Sequence, residues 1–179
     1  MLDNRLCISF WTIEHRGVIP LEMRPLMGDW IFGCDLCQEV CPVNAYPRRA
    51  EPNARSVEAF SPNAVSGRPL LQDLLTLDEQ GFAERFKKSA LWRTRRAGLL
   101  RNACIALGNV GDRSCVPALA AVLFDHERLL RGHAAWALGR LGGGAARRHL
   151  ELALKREADA WVRDECELAR QECGPLAVL

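Results

Sequence analysis

Residues 103–111, Ala-Cys-Ile-Ala-Leu-Gly-Asn-Val-Gly, return 31 positions later as residues 134–142, Ala-Ala-Trp-Ala-Leu-Gly-Arg-Leu-Gly. A third, degenerate copy begins around Trp161. A period near 31 residues with Ala and Gly at fixed places is typical of paired antiparallel helices stacked into a solenoid, because small residues let neighbouring helices approach closely. The repeat predicts an all-α fold. Since it is shorter than the roughly 40 residues of ordinary HEAT repeats, we assign it to a short, HEAT-like type of α-solenoid.

The helical pattern extends outward from these repeats over residues 70–179. The leucines of residues 70–77 predict a short amphipathic helix, residues 78–81 a turn, and residues 82–92 a further helical segment. The third copy lacks a second helix and ends in Gly174-Pro175, as a terminal cap would. A β-sheet running through residues 95–170 would contradict this prediction.

Upstream of residue 70 the composition changes. Residues 47–69 contain four prolines together with Asn, Ser and Gly, which indicates an extended connector with little regular structure. We therefore predict three parts: an N-terminal segment of residues 1–46, a linker of residues 47–69 and a helical repeat domain of residues 70–179.

The N-terminal segment carries a cysteine motif. Cys34, Cys37 and Cys41 are spaced C-x2-C-x3-C, and Pro42 follows directly. This is the closing half of a bacterial-type ferredoxin run, in which soft thiolates hold the irons of a [4Fe-4S] cluster. One cysteine of a full run is missing locally, and Cys7 supplies a fourth thiolate. The segment is thus interpreted as a partial ferredoxin-like iron-sulfur segment.

Two alternatives to an iron-sulfur cluster stay open at this point. A zinc knuckle also uses C-x2-C, and its tetrahedral site could be completed by Cys41 and Cys7 or by His15. The cysteines could also be ordinary thiols. The C-x3-C-P ending favours iron-sulfur over zinc, because zinc motifs do not require it.

Composition limits the class of protein. The chain has 179 residues, eight cysteines and a formal net charge of +2. No signal sequence opens it and no apolar run approaches a membrane span, so we expect a cytoplasmic protein without a membrane partner, in a compartment where clustered cysteines are metal ligands or buried thiols. Cys104, Cys115, Cys166 and Cys173 lie in the helical repeats or near helix ends, where we expect structural thiols.

Basic residues are unevenly distributed. Residues 85–101 contain seven Lys and Arg residues and no acidic residue, together with Trp92. Further arginines, among them Arg131, follow at the ends of the repeats. Such a run could line one face of the solenoid and neutralise phosphates, or it could be a solvated helix face.

Four stretches together resemble one known family, epoxyqueuosine reductase. They are residues 7–17 (CISFWTIEHRG), 24–42 (RPLMGDWIFGCDLCQEVCP), 96–103 (RAGLLRNA) and 131–139 (RGHAAWALG). The resemblance runs through nearly the whole chain in the same order and is with the C-terminal half of that family. It implies reduction of epoxyqueuosine to queuosine in the wobble position of tRNA, with cobalamin and two [4Fe-4S] clusters. It also implies a HEAT-like domain that helps to hold tRNA.

The resemblance assigns roles to particular residues. Cys7, Cys34 and Cys37 would serve one cluster and Cys41 the other, and Ser9 matches a position that contacts cobalamin. The tRNA contacts are expected at Arg93, Arg95, Arg96, Arg101 and Arg131. Trp11 and Val43 depart from the family pattern, which bears on local packing.

The family's cobalamin domain, catalytic acid and first cysteine run are not found in these 179 residues. Two functions compete. In one, the chain is the C-terminal part of an epoxyqueuosine reductase, inactive alone, and a separate polypeptide supplies the cobalamin domain. In the other, it is a non-catalytic module that binds tRNA or protein through its solenoid and holds an iron-sulfur or zinc site.

Overall fold

The computed structural model describes residues 3–45 and 70–174. Within these ranges the secondary structure is entirely helical, which confirms the predicted all-α class. The predicted linker of residues 47–69 lies outside the described residues, as does Pro175 of the predicted cap. None of the helices in the described ranges is long and apolar enough to cross a membrane.

Five helices form the solenoid. Four shorter helices, α1 to α4, precede them and are described below. In chain order, the solenoid helices are α5 (Arg95–Val110), α6 (Val116–Val122), α7 (Arg128–Leu141), α8 (Gly143–Leu154) and α9 (Ala160–Glu172). Helix α7 packs between α5 and α9, and α6 and α8 are the second helices of the first two repeats. The 31-residue recurrence therefore maps onto α5 and α7, and the third copy is the single helix α9, as predicted.

Recurring glycines let these helices approach closely. A methyl group on Gly108 would lie 2.9 Å from the Trp136 ring and 3.0 Å from the Cα of Ala137. A methyl group on Gly139 would lie 2.8 Å from the Cα of Ala169. Real Cβ atoms do not come so close to backbone, so any side chain at either glycine would push two helices apart. The role predicted for the small residues is confirmed.

The start of the helical region differs from the prediction. Helix α3 (Leu71–Leu74) is a single turn, and α4 (Glu79–Phe86) begins where the sequence predicted a turn. Asp78 is the N-cap of α4, and its carboxylate accepts a hydrogen bond of 2.7 Å from the backbone N–H of Gly81. The predicted turn over residues 78–81 is therefore wrong, because a capping Asp places the following glycine inside the helix.

The N-terminal segment is irregular. Its short elements are two 3-10 turns (Asn4–Leu6 and Pro25–Met27), a π-helical turn (Phe10–Glu14), α1 (Leu36–Glu39) and α2 (Pro42–Ala45). Three of its side chains, Ile19, Met23 and Met27, are buried in the same hydrophobic core as the solenoid helices. The N-terminal segment thus shares a core with the repeats, while the predicted boundary itself stays a prediction.

Candidate metal centre and nucleic-acid interface

Helix α5 holds the N-terminal segment by its backbone. The guanidinium of Arg101 donates hydrogen bonds of 2.8–2.9 Å to the carbonyl oxygens of Trp11, His15 and Gly17, and it also donates to the side-chain oxygen of Asn102. Arg101 is fully buried, and burial lowers its pKa to about 10, so the side chain remains charged at neutral pH. Arg101 has no carboxylate partner among its hydrogen bonds. Backbone carbonyl oxygens accept its N–H groups instead, which offsets the cost of burying the charge.

Two amides of the same helix extend this arrangement. Asn102 and Asn109 donate hydrogen bonds of 2.8–2.9 Å to four more carbonyl oxygens, those of Thr12, Ile31, Arg24 and Gly28. An irregular segment lacks the internal ladder that satisfies backbone oxygens in a helix or sheet. Three side chains of α5 therefore replace that ladder and fix the path of the segment that carries the cysteines.

Helices α7 and α9 also bind the N-terminal segment. Arg24 makes a buried, bidentate ion pair with Glu165 of α9, with N–O distances of 2.6 and 2.8 Å, and lies over the ring of Trp136. The backbone N–H of Ile19 donates to Nε2 of His133, at 3.2 Å, and His133 Nδ1 lies 2.7 Å from a carbonyl oxygen of its own helix. This pairing requires neutral His133 with its proton on Nδ1.

The anchoring by His133 predicts a pH dependence of stability. Burial lowers the pKa of His133 well below its ordinary value of 6.5. Below about pH 6.5 the unfolded chain binds a proton that the folded chain does not, so the free energy of unfolding should fall by up to about 1.4 kcal/mol per pH unit. Urea unfolding between pH 7.5 and 5.5 measures this slope.

Two variants identify the histidine responsible. His133→Gln keeps an acceptor for the Ile19 N–H but cannot titrate. The slope of its unfolding free energy against pH should therefore be smaller by up to about 1.4 kcal/mol per pH unit, the contribution of one proton. His126→Gln, which removes an exposed histidine that does not bind the N-terminal segment, is the comparison variant. The pKa of His15 is also lowered by burial, which adds a residual slope of the same sign. Equal slopes in all three proteins would contradict the assignment.

The structure brings Cys7 and Cys34 into neighbouring segments. Ser9, two residues after Cys7, donates a hydrogen bond of 3.1 Å to the carbonyl oxygen of Cys34. The hydroxyl of Thr12 accepts one of 3.0 Å from the backbone N–H of Gly33. Gly33 has φ +72°, a left-handed conformation that favours glycine and turns the chain at the first cysteine of the run. Ser9 therefore ties the two thiol-bearing segments together.

The other two motif cysteines follow at once. Cys37 lies in α1, and Cys41 precedes α2. Cys7 and Cys37 are exposed, and Cys34 and Cys41 are half-buried. Accessible thiols separated by short turns suit a cluster in which each sulfur binds a different iron, and the donor set fits an iron-sulfur cluster.

The remaining cysteines differ in kind. Cys104, Cys115 and Cys166 are buried, and Cys173 is half-buried beside the core. Burial raises the pKa of Cys166 to about 12 and that of Cys104 further still. A metal ligand must be a thiolate, so these buried positions suit structural thiols, as the sequence predicted.

The four motif cysteines are not arranged as a single-ion site. Among residues 3–45 and 70–174, no group of three or more Cys, His, Asp or Glu side chains is placed to hold one metal ion. His15, the alternative zinc ligand, instead places Nε2 3.0 Å from the carbonyl oxygen of Val18. A preformed tetrahedral zinc site is thus absent from this part of the chain.

Apolar side chains flank the motif cysteines in the sequence and are left open to solvent. Leu6, Phe10, Leu36, Val40 and Val43 all expose 43–76% of their surface. We call these five residues with the four motif cysteines the cysteine face. Exposed apolar side chains that form a contiguous patch mark a surface that another molecule covers, so these five residues are candidates for such a contact.

A basic cleft lies where α5 and α7 begin. Arg16 and Arg95 line both of two adjoining cavities; Trp92 and Arg93 complete the first, and Arg128 the second. Arg95 is the one non-glycine residue with a positive φ, 59°, in the described ranges. Neither helix start has a capping side chain, so the first N–H groups of α5 and α7 are also free of side-chain partners there.

Two of the five predicted tRNA contacts fit this cleft. Arg95 is exposed, and Arg93 is exposed and paired with Glu14 at 2.8 Å. Arg16 and Arg128 belong to the same cleft but were not among the predicted contacts. Arg128 is one of the arginines at repeat ends that the sequence marked as able to neutralise phosphates, whereas an isolated Arg16 gave no signal.

The other three predicted contacts are corrected. Arg101 is fully buried and bonded to carbonyl oxygens. Arg96 is buried and bonded to Asp125 and to a carbonyl oxygen. Arg131 is held by both carboxylate oxygens of Glu157, at 2.6 and 2.9 Å, and this hydrogen bonding raises its pKa. Their charges are already satisfied within the fold, so these three arginines are poorly placed to bind phosphate, although Arg96 also lines the first cavity.

Comparison with known proteins agrees with the cysteine motif and with the helical repeats. Residues 1–44 match a family described as a 4Fe-4S double cluster binding domain, and residues 89–169 match HEAT repeats. The epoxyqueuosine reductase of Bacillus cereus is 38% identical over 166 residues, which are 92% of this chain and 42% of that protein. That of Escherichia coli K12 is 41% identical over 138 residues, 76% of this chain and 35% of the relative. The chain belongs to the epoxyqueuosine reductase family.

Solved structures of epoxyqueuosine reductase show the same fold. One, in complex with an epoxyqueuosine-modified stem loop of tRNA-Tyr, has a TM-score of 0.82 and 34% identity, covering 98% of this chain and 45% of that one. The enzyme from Bacillus subtilis has a TM-score of 0.80 and 34% identity, covering 96% and 45%. The chain therefore spans about two fifths of the length of these epoxyqueuosine reductases. The predicted fold, family and iron-sulfur class are confirmed.

Proposed function

We propose that this chain is the C-terminal part of an epoxyqueuosine reductase and acts in the reduction of epoxyqueuosine to queuosine in tRNA. The observation that carries the proposal is the joint placement of the cysteine motif and the basic cleft by one helix, α5, in a fold with TM-score 0.82 to a reductase bound to modified tRNA. A redox centre and an RNA-binding surface held rigidly together are what reduction of a nucleoside within tRNA requires.

The chemistry assigns work to the motif cysteines. Reducing an epoxide to an alkene consumes two electrons and two protons and releases the oxygen as water. Iron-sulfur clusters carry single electrons, and their potential depends on burial and hydrogen bonding. We assign Cys7, Cys34 and Cys37 to one [4Fe-4S] cluster and Cys41 to its neighbour. The hydrogen bond from Ser9 to Cys34 fixes the relative position of the first two ligands.

Cobalamin belongs to this proposal too, as the cofactor that supplies the reducing centre when bound. Ser9 is the residue of this chain proposed to contact it. Its hydroxyl proton is already donated to Cys34, so the oxygen of Ser9 is available only as an acceptor.

We further propose that a polypeptide with the cobalamin domain covers the cysteine face. The five exposed apolar side chains around the thiols support this contact, because a cluster is protected from water by dry surroundings. The substrate partner is the anticodon region of queuosine tRNAs, and the place of action is the cytoplasm, where tRNA is modified.

The test is turnover. The reconstituted chain is incubated anaerobically with epoxyqueuosine-containing tRNA, cobalamin and a chemical reductant, with and without the N-terminal part of the Bacillus subtilis enzyme. Nucleoside mass spectrometry should show queuosine only when both polypeptides are present. Conversion by the chain alone would overturn the need for a second polypeptide. No conversion in any mixture, with tRNA still bound, would favour the non-catalytic binding module.

A further inference from the structure

We propose that the pocket beside Trp92 binds one unpaired nucleotide of an RNA ligand, with the base stacked on the indole and the adjoining phosphate bound by Arg16 and Arg95. The inference rests on the proposed function in that the ligand is RNA. It adds a specific site and a mode of recognition, the stacking of a single base that is free of its own helix.

The aromatic part of the pocket is preformed. Trp92 stacks on Phe82, with ring centroids 5.6 Å apart and an angle of 19° between planes. Phe82 is buried and fixed in the core, whereas Trp92 exposes 44% of its surface to the pocket and the solvent. The indole is therefore held in place by one neighbour while part of its surface remains open. A fixed, exposed aromatic ring pays little conformational entropy when a base stacks on it.

The size of the pocket fits such a ligand. The cavity beside Trp92 has a volume of about 470 Å³ and joins a second cavity of about 360 Å³ across Arg16 and Arg95. Small-molecule sites range over roughly 300–1,000 Å³. Two cavities that share a pair of arginines match a nucleotide chain, in which a phosphate separates successive bases.

The charged side chains that line the two cavities are mostly basic. Arg16 and Arg95 are exposed and make no ion pair within the described ranges, so their charges are available to a phosphate. Arg93 is paired with Glu14. Glu79 lines the first cavity and Glu127 the second, so each cavity contains one carboxylate that repels phosphate. We place the phosphate at Arg16 and Arg95, which line both cavities, and the base beside Trp92 and Glu79.

An unpaired nucleotide fits this surface better than a duplex. Bases inside a duplex are already stacked on each other, so they cannot reach an aromatic side chain. An exposed tryptophan beside free arginines is the combination that binds single-stranded nucleic acid through stacking and phosphate contacts. An acidic peptide would be attracted by the arginines but would gain nothing from the stacked indole.

The experiment measures binding of a fluorescein-labelled hairpin RNA with a single-stranded loop, compared with the same stem closed by blunt ends. Trp92→Leu should weaken binding of the hairpin by roughly five- to 100-fold and leave the blunt stem unchanged. Trp92→Phe, which keeps a ring, should retain most of the affinity. Arg95→Gln should lower the slope of log Kd against log salt by about one, which corresponds to the loss of one phosphate contact. Trp92→Leu should leave that slope unchanged.

Phe124→Leu is the matched control. Phe124 is another exposed aromatic residue beside an arginine, Arg156, but it lies in a different pocket, and its loss should not affect hairpin binding. Far-UV circular dichroism confirms that each variant is folded. A hairpin that binds the natural chain and Trp92→Leu equally would overturn the pocket while leaving the proposed function intact. Failure of the natural chain to bind any RNA, or tighter binding of a polyglutamate probe, would overturn both.

Discussion

Replacing Arg101 by methionine is expected to lower the free energy of unfolding by about 3–5 kcal/mol and to remove most of the iron that the chain can bind. Methionine matches the length of the arginine stem but leaves three carbonyl oxygens and the Asn102 side chain without donors in a buried site. Each unsatisfied buried acceptor costs about 1–3 kcal/mol, less where water enters. The segment that follows Cys7 then loses three of its hydrogen bonds to α5, while those from Asn102 and Asn109 remain.

Urea unfolding gives the stability, and iron and sulfide analysis after anaerobic reconstitution gives the cluster content. Arg140→Met is the matched control, because Arg140 is an exposed arginine of α7 and its loss should change neither quantity. An Arg101→Met chain as stable as the natural one would show that the carbonyl contacts contribute nothing to folding. Loss of stability with full retention of iron would show that α5 does not position the cysteines.

The solenoid was predictable because its determinants are local. The recurrence of Ala and Gly reports helix packing directly, and Gly139 indeed lies against the backbone of Ala169. The cysteine motif was equally recognisable, because its spacing alone is typical of iron-sulfur ligands. The turn expected at residues 78–81 was wrong because Gly81 outweighed the capping signal of Asp78, although the cap decides where the helix begins.

The docking of the N-terminal segment was not predictable from one sequence. Arg24 and Glu165 are 141 positions apart, and Ile19 and His133 are 114 apart. No periodicity links such pairs. For the same reason Arg101 was predicted as a surface cation, since its charge is visible in the sequence and its backbone partners are not. A run of basic residues predicts a basic surface only if its members are exposed, and the sequence does not show which of them are buried.

Helix α5 connects the two parts of the candidate site. Its first residue, Arg95, lines the basic cleft, and Arg101 binds the segment that contains both the π-helical turn after Cys7 and the cleft residue Arg16. Arg16 therefore lies between two residues, His15 and Gly17, whose carbonyl oxygens are fixed by α5. Under the proposed function, RNA bound in the cleft would contact the same helix that holds the cysteine segment, so the fold would set the distance between substrate and cluster.

The second large effect is expected at the cysteines. The isolated chain should hold at most one labile, substoichiometric [4Fe-4S] cluster, and Cys37→Ala should abolish it whereas Cys41→Ala should leave most of it. The reason is that Cys7, Cys34 and Cys37 are assigned to one cluster and Cys41 to its neighbour, as in two-cluster ferredoxins, where the last cysteine of each run serves the other cluster.

Anaerobic reconstitution followed by iron and sulfide analysis and gel filtration measures the outcome, with Cys115→Ala, a buried thiol of the solenoid, as the control that should bind like the natural chain. About four irons per chain, stable to gel filtration and lost in Cys41→Ala, would show instead that Cys41 completes a single cube. In that case Cys41 would bind the same cluster as Cys7, Cys34 and Cys37. The exposed apolar cysteine face would then have to be covered by something other than a second cluster-bearing segment.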